Sequence, residues 1–265
     1  MSEEEIVDAE IVEETPAPQG PIQIAVIGDE NNPLAMATYR AFEVPKGVEV
    51  LLFEADRLDD AVEAKPNVTF WCEPLGVKKN DSLDDAEFLA AVQKLVRGAG
   101  SGICIRSSIN METHDRLLMA LQKEVFDAKV IYMPSMTDSE SINDILNSPV
   151  VVGGNQESLK QHFGVLDTSS WFGLSDVVTG TMQEVIFTKL INSGYELVRQ
   201  KFFDEAFDAV MDIKGANPMR VARMVRKTMG EFPVPSHVNC NVLYDGRIFA
   251  GATDKLTLIE SCLEN

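Results

Sequence analysis

The sequence predicts an α/β protein in which a doubly wound parallel sheet is followed by an all-helical region with one long central helix. From Ile22 onward, short apolar runs alternate with helical stretches, which is typical of βαβ units and a parallel sheet. The spacing from Gly28 to Glu54 fits one strand–turn–helix–strand unit. Beyond Trp171 the apolar residues recur mostly at three- and four-residue steps, which indicates helix.

The first of these regions, residues 21–168, is predicted to be a Rossmann-like domain of the dinucleotide-binding type. Its predicted strands are Ile24–Gly28, Val48–Phe53, Val68–Cys72, Gly102–Arg106, Ala128–Tyr132 and Pro149–Gly153. Its predicted helices are Leu34–Phe42, Asp84–Gly98, Thr113–Phe126, Ser139–Leu146 and Asn155–Phe163.

The second region, residues 169–265, is predicted to be a helical central or dimerisation domain built on a helix from about Leu174 to Asp212. A helix of this length extends roughly 55 to 60 Å, longer than a small domain is wide. Its apolar stripe therefore needs a second covering layer or a second subunit, and we expect a homodimer. A further helix is predicted at Asn217–Met229, and a last apolar segment at Leu256–Leu263.

Residues 1–20 are predicted to be a disordered acidic tail, because they contain seven acidic side chains, no basic one, and a Pro-rich end. Two interpretations remain open. The tail is either a solvated leader without a specific partner, or a docking peptide for another protein.

The charge balance and cysteine usage restrict the classes of partner and compartment. A net charge of −19 and a pI near 4.5 repel nucleic-acid phosphates and anionic membranes, and no basic patch of useful size is evident. The four cysteines share no CxxC spacing, and no apolar run approaches the ~20 residues that span a bilayer. We therefore expect a cytoplasmic protein that binds neither nucleic acid nor membrane.

Several segments resemble motifs of the UDP-glucose/GDP-mannose (nucleotide-sugar) dehydrogenase family, in the family's order. Residues 103–117, ICIRSSINMETHDRL, are similar to the signature V-I-K-S-T-V-P-x-G-T-T-D-R-L. Tyr132-Met-Pro-Ser-Met and residues 143–154 are similar to N-P-E-F-L-R-E-G-S and the later P-x-x-x-x-G-G. Lys189 with Asn192-Ser193, and Phe202-Phe-Asp-Glu205, resemble K-x-x-x-N and F-x-N-E on the family's central helix. Residues 235–238 and 249–255 resemble P-S-H and F-G-G-x-C-x-P-K-D.

The resemblance implies a reaction class. Members of this family use NAD to oxidise the C6 alcohol of a nucleotide sugar twice, through a thioester on the cysteine of F-G-G-x-C. The chain looks like a shortened, UDP-glucose 6-dehydrogenase-like form without the family's third domain, which completes the nucleotide-sugar site. Another chain supplying that domain is one possibility that the sequence leaves open.

The resemblance also assigns positions to individual residues. It implies Gly28, Glu54 and Ser107 as cofactor-binding residues, with Glu54 on a ribose. It implies Lys189 as an oxyanion donor, and Ser108 and Asn192 as catalytic neighbours. Ser135 stands in the position of the acid/base glutamate, and Thr253 in that of the nucleophilic cysteine. Lys189 and Asn192 match the family spacing only with a one-residue shift, because the alignment on Lys189 brings Ser193 to the asparagine position.

The loop after the first strand departs from the usual dinucleotide-binding pattern. It reads Gly28-Asp-Glu-Asn-Asn-Pro-Leu34, so one glycine of G-x-G-x-x-G remains. Asp29 and Glu30 place negative charge beside a bound diphosphate, where each contact costs about 4 kcal/mol at an effective dielectric near 20. We therefore expect weak or absent NAD binding.

Other site types find little support in the sequence. His114, His162 and His237 have no metal-ligand partner at helical or turn spacing, so no metal site is predicted. Two hypotheses of different class follow. The chain is either an NAD-dependent nucleotide-sugar dehydrogenase with a modified nucleotide loop, or a catalytically inactive family member that keeps the fold for binding or assembly.

Overall fold

The computed structural model describes residues 22–43, 47–78, 83–137, 141–155, 158–159 and 177–229. The described strands are β1 (Ile22–Ile27), β2 (Val48–Phe53), β3 (Val68–Trp71), β4 (Gly76–Val77), β5 (Leu83–Asp84), β6 (Gly102–Ile105), β7 (Val130–Tyr132), β8 (Val150–Gly153) and β9 (Val177–Gly180). The described helices are α1 (Pro33–Glu43), α2 (Leu58–Ala64), α3 (Ala86–Gly98), α4 (Met111–Leu121), α5 (Lys123–Lys129), α6 (Ile142–Asn147), α7 (Met182–Met211) and α8 (Pro218–Met229).

One sheet organises the fold, in the order β2-β1-β3-β6-β7-β8-β9. All neighbours in it are parallel except β7 and β8, which pair antiparallel through Tyr132 and Gly153. The strands β4 and β5 form a separate antiparallel pair. The predicted fold class, a doubly wound and mostly parallel sheet followed by a helical region, is confirmed.

Helices cover both faces of the sheet because the inner strands are apolar on both sides. In β6, Ile103 and Ile105 pack into one core cluster with α3, α4 and α7. The side chain of Cys104, between them, packs into the opposite cluster with α1. This alternation is the two-residue period of a strand, and it places a hydrophobic layer under each set of helices.

Several predicted element boundaries are wrong. The long helix begins at Met182 rather than near Leu174, because Val177–Gly180 form β9 and pair with β8. Thr181 then starts the helix with a capping box, in which Thr181 and Glu184 satisfy each other's backbone N–H groups. The predicted helix Thr113–Phe126 divides into α4 and α5 at Gln122, whose φ of +65° no helix accommodates. The strand predicted from Ala128 begins at Val130, because α5 continues to Lys129.

The long helix is half embedded and half exposed. Its first half packs against the sheet through a buried set comprising Met182, Val185, Ile186, Leu190 and Leu197. This packing requires Gly153, because a Cβ there would lie 2.8 Å from the Cα of Met182 and 2.9 Å from the carbonyl oxygen of Thr181. In the second half Phe202 is 61% exposed. The 30 residues of α7 extend about 45 Å.

The predicted helix Asn155–Phe163 lies mostly outside the described residues. The predicted tail, residues 1–20, and the segment Leu256–Leu263 lie wholly outside them. The helix predicted at Asn217–Met229 is present as α8.

Candidate functional site

The carboxyl ends of the parallel strands bring most of the predicted site residues to one edge of the sheet. Gly28 follows β1, Glu54 follows β2, Ser107 and Ser108 follow β6, and Ser135 follows β7. In doubly wound folds this edge is where ligands bind. It is therefore the candidate site of this chain.

Gly28 is held by packing. Its N–H donates to the carbonyl of Phe53 at 2.9 Å, which ties the loop to β2. A Cβ at this position would lie 2.6 Å from the Cβ of Ala35, inside α1. The glycine is therefore required for the close approach of α1 to β1, whether or not a ligand binds.

The side chain of Glu73 occupies the loop after β1. Its carboxylate accepts a hydrogen bond of 2.6 Å from the backbone N–H of Asp29. The carbonyl oxygen of Glu73 accepts from the indole N–H of Trp71 at 2.9 Å and from the hydroxyl of Ser107 at 2.5 Å. Glu73 is thus fixed at both its backbone and its side chain, and an internal carboxylate takes a backbone donor of the loop.

The first turn of α1 is closed by Asn32. Its side-chain oxygen accepts from the N–H groups of Leu34 at 2.9 Å and Ala35 at 3.3 Å, and its amide donates to the carbonyl of Cys72 at 3.0 Å. Pro33 has no N–H to offer. A helix N-terminus binds a phosphate through its unsatisfied N–H groups, and here a side chain satisfies them.

The loop itself is closed in the same way. The carboxylate of Asp29 accepts from the backbone N–H and the side-chain amide of Asn31, at 2.6 and 2.8 Å. A dinucleotide diphosphate in the usual position would have to displace Glu73 and Asn32 and approach Asp29. The residues of this loop therefore do not fit NAD in that binding mode.

The other two predicted cofactor residues have different surroundings. Glu54 lies exposed at the end of β2, and its carbonyl accepts from the N–H of Arg57 at 2.9 Å. Ser107 is buried, with 3% of its surface exposed, and its hydroxyl donates to the carbonyl of Glu73. Ser107 thus holds the backbone of Glu73 in place, a role that the sequence does not suggest.

Two of the predicted catalytic residues lie around the loop after β7. Asn192 on α7 donates from its side-chain amide to the carbonyl of Met136 at 2.8 Å. The hydroxyl of Ser135 donates to the carbonyl of Thr137 at 3.1 Å. The structure therefore brings α7 to the segment 135–137.

Lys189 lies one helical turn before Asn192 and is 4% exposed. Ser193, one turn beyond Lys189 on the same face of α7, is fully buried. The sequence left open two alignments on the family's lysine and asparagine, Lys189 with Ser193 or Thr188 with Asn192. In the structure Lys189 and Ser193 share the buried face, and Asn192 contacts the loop after β7.

The segment after β6 serves to begin a helix. Ser108 is partly buried, and the side chain of Asn110 caps α4 by accepting from the N–H of Thr113 at 2.8 Å. Asp85 is 2% exposed and accepts from the hydroxyl of Thr113 at 3.0 Å and from Arg116 at 2.8 Å. This buried carboxylate, which sequence reasoning missed, joins the start of α3 to α4.

The two cysteines within the described residues are not available as substitute nucleophiles. Burial raises the pKa of the Cys72 thiol to about 11, and burial also raises the pKa of Cys104. Both therefore stay protonated at neutral pH, and a protonated thiol is a poor nucleophile. Thr253, His237, Cys240 and Cys262 lie outside the described residues.

A cleft of about 430 Å³ lies beside Glu73, at the same edge of the sheet. Its lining combines apolar side chains, among them Leu58, Trp71 and Phe88, with the charged residues Glu73, Asp84, Glu87 and Lys94. In the described ranges no group of three or more His, Cys, Asp or Glu side chains could hold a metal ion, and no described helix is long and apolar enough to cross a membrane.

Comparison with known proteins identifies the fold. No protein-family model matches the sequence, and no curated protein matches it. Among solved structures, the chain resembles a UDP-D-ManNAc dehydrogenase from Pyrococcus horikoshii, with a TM-score of 0.71 and 14% identity over 91% of this chain and 67% of that one. It also resembles a UDP-glucose dehydrogenase from Pyrobaculum islandicum, with a TM-score of 0.69 and 14% identity over 94% and 70%.

A third similar structure differs from these in size. The Mycobacterium tuberculosis 3-hydroxyisobutyrate dehydrogenase aligns with a TM-score of 0.66 and 16% identity, over 92% of this chain and 91% of that one. The architecture of this chain is therefore that of dehydrogenases acting on sugar nucleotides and on a small hydroxy acid. At these identities the similarity establishes the fold alone.

Proposed function

We propose that this chain is a catalytically inactive protein with a dehydrogenase fold, which it uses for binding or assembly. The observation that carries the proposal is the closed loop after β1, where the Glu73 carboxylate takes the N–H of Asp29. A ligand phosphate gains nothing from a donor that is already paired with a carboxylate, and it is repelled by that carboxylate.

The replaced catalytic groups support the same proposal. Ser135 stands in the position of the family's acid/base carboxylate, and its hydroxyl donates to the carbonyl of Thr137. Within the described residues no basic group is hydrogen-bonded to that hydroxyl. A serine hydroxyl without a base does not transfer protons near neutral pH.

Assembly is the role for which α7 provides a surface. Phe187, Ile191 and Tyr195 recur every four residues and are 39%, 57% and 62% exposed. Such an apolar stripe on one helix face is typical of a helix that packs against a partner. We propose a homodimer in which this stripe packs against its copy.

The direct test is titration calorimetry with NAD on the full chain. We expect no binding heat up to about 1 mM NAD, which corresponds to less than about 4 kcal/mol of binding free energy. Mixing the protein with NAD and UDP-glucose or GDP-mannose is expected to give no absorbance at the reduced-nicotinamide band. Micromolar NAD affinity would overturn the proposal, because it would require a loop conformation that releases Asp29.

The second candidate function is NAD-dependent oxidation of UDP-glucose or a related nucleotide sugar. Two features favour this function. Lys189 is buried, and it lies one helical turn from Asn192, whose side chain contacts Met136. In such a reaction the ammonium of Lys189 would donate to a developing oxyanion. Nicotinamide reduction that is lost in Lys189→Met and kept in Lys201→Met, a lysine on the same helix, would establish this function.

A further inference from the structure

The charged residues of α8 all have one sign. They are Arg220, Arg223, Arg226 and Lys227, and no Asp or Glu lies within Pro218–Met229. At about 100° per residue the four cations lie on one side of the helix, opposite Val221 and Val225. The cations are exposed, whereas the two valines line an apolar groove of about 190 Å³ against α7. The helix thus presents a basic face to solvent, which the sequence analysis did not identify.

This basic face has no partner within the part of the chain that the structure describes. None of the four cationic side chains forms an ion pair there. Arg223 lies three residues from both Arg220 and Arg226 and four from Lys227. Like charges at these spacings destabilise a helix, so an acidic partner would stabilise α8.

The chain contains a segment of the complementary chemistry. Residues 1–20 carry seven acidic side chains and no basic one. The remainder of the chain is also acidic, with a net charge of −19 for the whole. An acidic segment is therefore repelled by most of the molecule and attracted to α8.

The length of the acidic segment sets how far from β1 it can bind. Twenty residues span at most roughly 65 to 70 Å from the start of β1 when extended, whereas α7 is about 45 Å long. A tether whose length matches the span it must bridge raises the local concentration of a binding segment into the millimolar range. Weak charge pairing is then sufficient for occupancy.

We propose that the acidic segment of residues 1–20 binds the basic face of α8 within the same molecule. The pairing covers the cations Arg220, Arg223, Arg226 and Lys227. It thereby stabilises a helix whose main packing partner among the described elements is α7. This inference does not depend on whether the chain binds NAD.

Hydrogen exchange of the α8 amides in the full chain tests the pairing. The comparison variant replaces the seven acidic residues of positions 1–20 with Gln or Asn and leaves the chain length unchanged. In low salt we expect roughly fivefold slower exchange in the wild type. The difference should vanish near 1 M salt, where the screening length falls to about 3 Å. Equal exchange in low salt would overturn the proposal, and protection that rises with protein concentration would overturn its intramolecular form.

Binding of a labelled peptide of residues 1–20 to the same neutral-tail protein tests the site. We expect fluorescence anisotropy to show salt-sensitive binding that falls at least about tenfold after Arg223→Glu, Arg226→Glu and Lys227→Glu together. The matched control is Arg40→Glu, Lys65→Glu and Arg97→Glu, which changes the net charge equally on exposed sites outside α8. Equal loss in both variants, or binding of duplex DNA in place of the peptide, would overturn the proposal.

Discussion

The carboxylate of Glu73, at the end of β3, accepts a hydrogen bond of 2.6 Å from the backbone N–H of Asp29, in the loop after β1. The two strands are neighbours in the sheet, so their carboxyl ends meet although 44 residues separate the two groups in sequence. In this chain a protein carboxylate holds the loop that small residues and a ligand diphosphate shape in a dinucleotide-binding protein.

This contact is expected to contribute to stability. Replacement of Glu73 by Ala removes the carboxylate that accepts the hydrogen bond from the N–H of Asp29. We therefore expect the free energy of unfolding to fall by about 0.5 to 1.5 kcal/mol. Glu63→Ala, an exposed glutamate on α2, is the matched control and should change stability by less than about 0.5 kcal/mol. Urea unfolding measures both. An equal effect of the two substitutions would show that the Glu73 contact is not stabilising.

The packing of α7 on β8 leads to a second prediction. In Gly153→Ala the new Cβ would lie 2.8 Å from the Cα of Met182 and 3.0 Å from the Cβ of Val185, so the helix has to shift. We expect the free energy of unfolding to fall by about 1 to 3 kcal/mol, which is the usual cost of overpacking. Gly76→Ala is the control, because its Cβ would meet only Asp84 at 3.4 Å. A thermal midpoint for Gly153→Ala equal to that of Gly76→Ala would contradict the packing described for α7.

The exposed stripe on α7 is predicted to form a homodimer interface. Light scattering at micromolar concentration should give the mass of two chains, and Ile191→Glu with Tyr195→Glu should give the mass of one. The reason is that two charges would enter an apolar contact without partners. Asp208→Lys, at an exposed position further along the same helix, is expected to leave the dimer intact. A monomeric mass for the wild type would contradict the prediction.

The sequence was sufficient for the parts of the fold that follow from local pattern. All six predicted strands are present, because continuous apolar runs such as Ile24–Gly28 and Gly102–Arg106 occur where strands are buried on both sides. β9 was missed because Val178 also falls on the three- and four-residue steps of the following helix. The break at Gln122 was missed because glutamine gives no local signal for a positive φ.

The site was less predictable than the fold, because its contacts join residues distant in sequence. The positions of Gly28 and Ser107 just after predicted strands followed from the local pattern. The contact of Asn192 with Met136 and the role of Glu73 did not. The available signal was the carboxylate of Glu73 just after β3, the strand that pairs with β1. The basic face of α8 was overlooked for a different reason, since its cations alternate with apolar residues and form a patch only after the chain is helical.

The last prediction concerns the nucleophile. Alignment of Phe249-Ala-Gly-Ala-Thr253 on F-G-G-x-C places Thr253 where the nucleotide-sugar dehydrogenases have the cysteine that forms their thioester. A thiol with an ordinary pKa near 8.5 supplies a few per cent of thiolate at neutral pH, whereas a threonine hydroxyl needs an adjacent base. Neither buried thiol within the described residues can take its place, because burial raises the pKa of Cys72 to about 11 and raises that of Cys104 as well.

We therefore expect no oxidation of UDP-glucose to UDP-glucuronate, and no covalent adduct after incubation with nucleotide sugar and NAD. Intact-protein mass spectrometry checks the adduct, and chromatography of the nucleotide sugars checks the product. An acyl adduct that maps to Thr253, Cys240 or Cys262 would contradict the prediction. Thr253→Cys separates the two proposed functions, because activity restored by the thiol would mean that the rest of the site is competent, including its NAD loop. If that loop is closed by Glu73 and Asn32, Thr253→Cys will remain inactive, since a nucleophile without a bound hydride acceptor completes no oxidation.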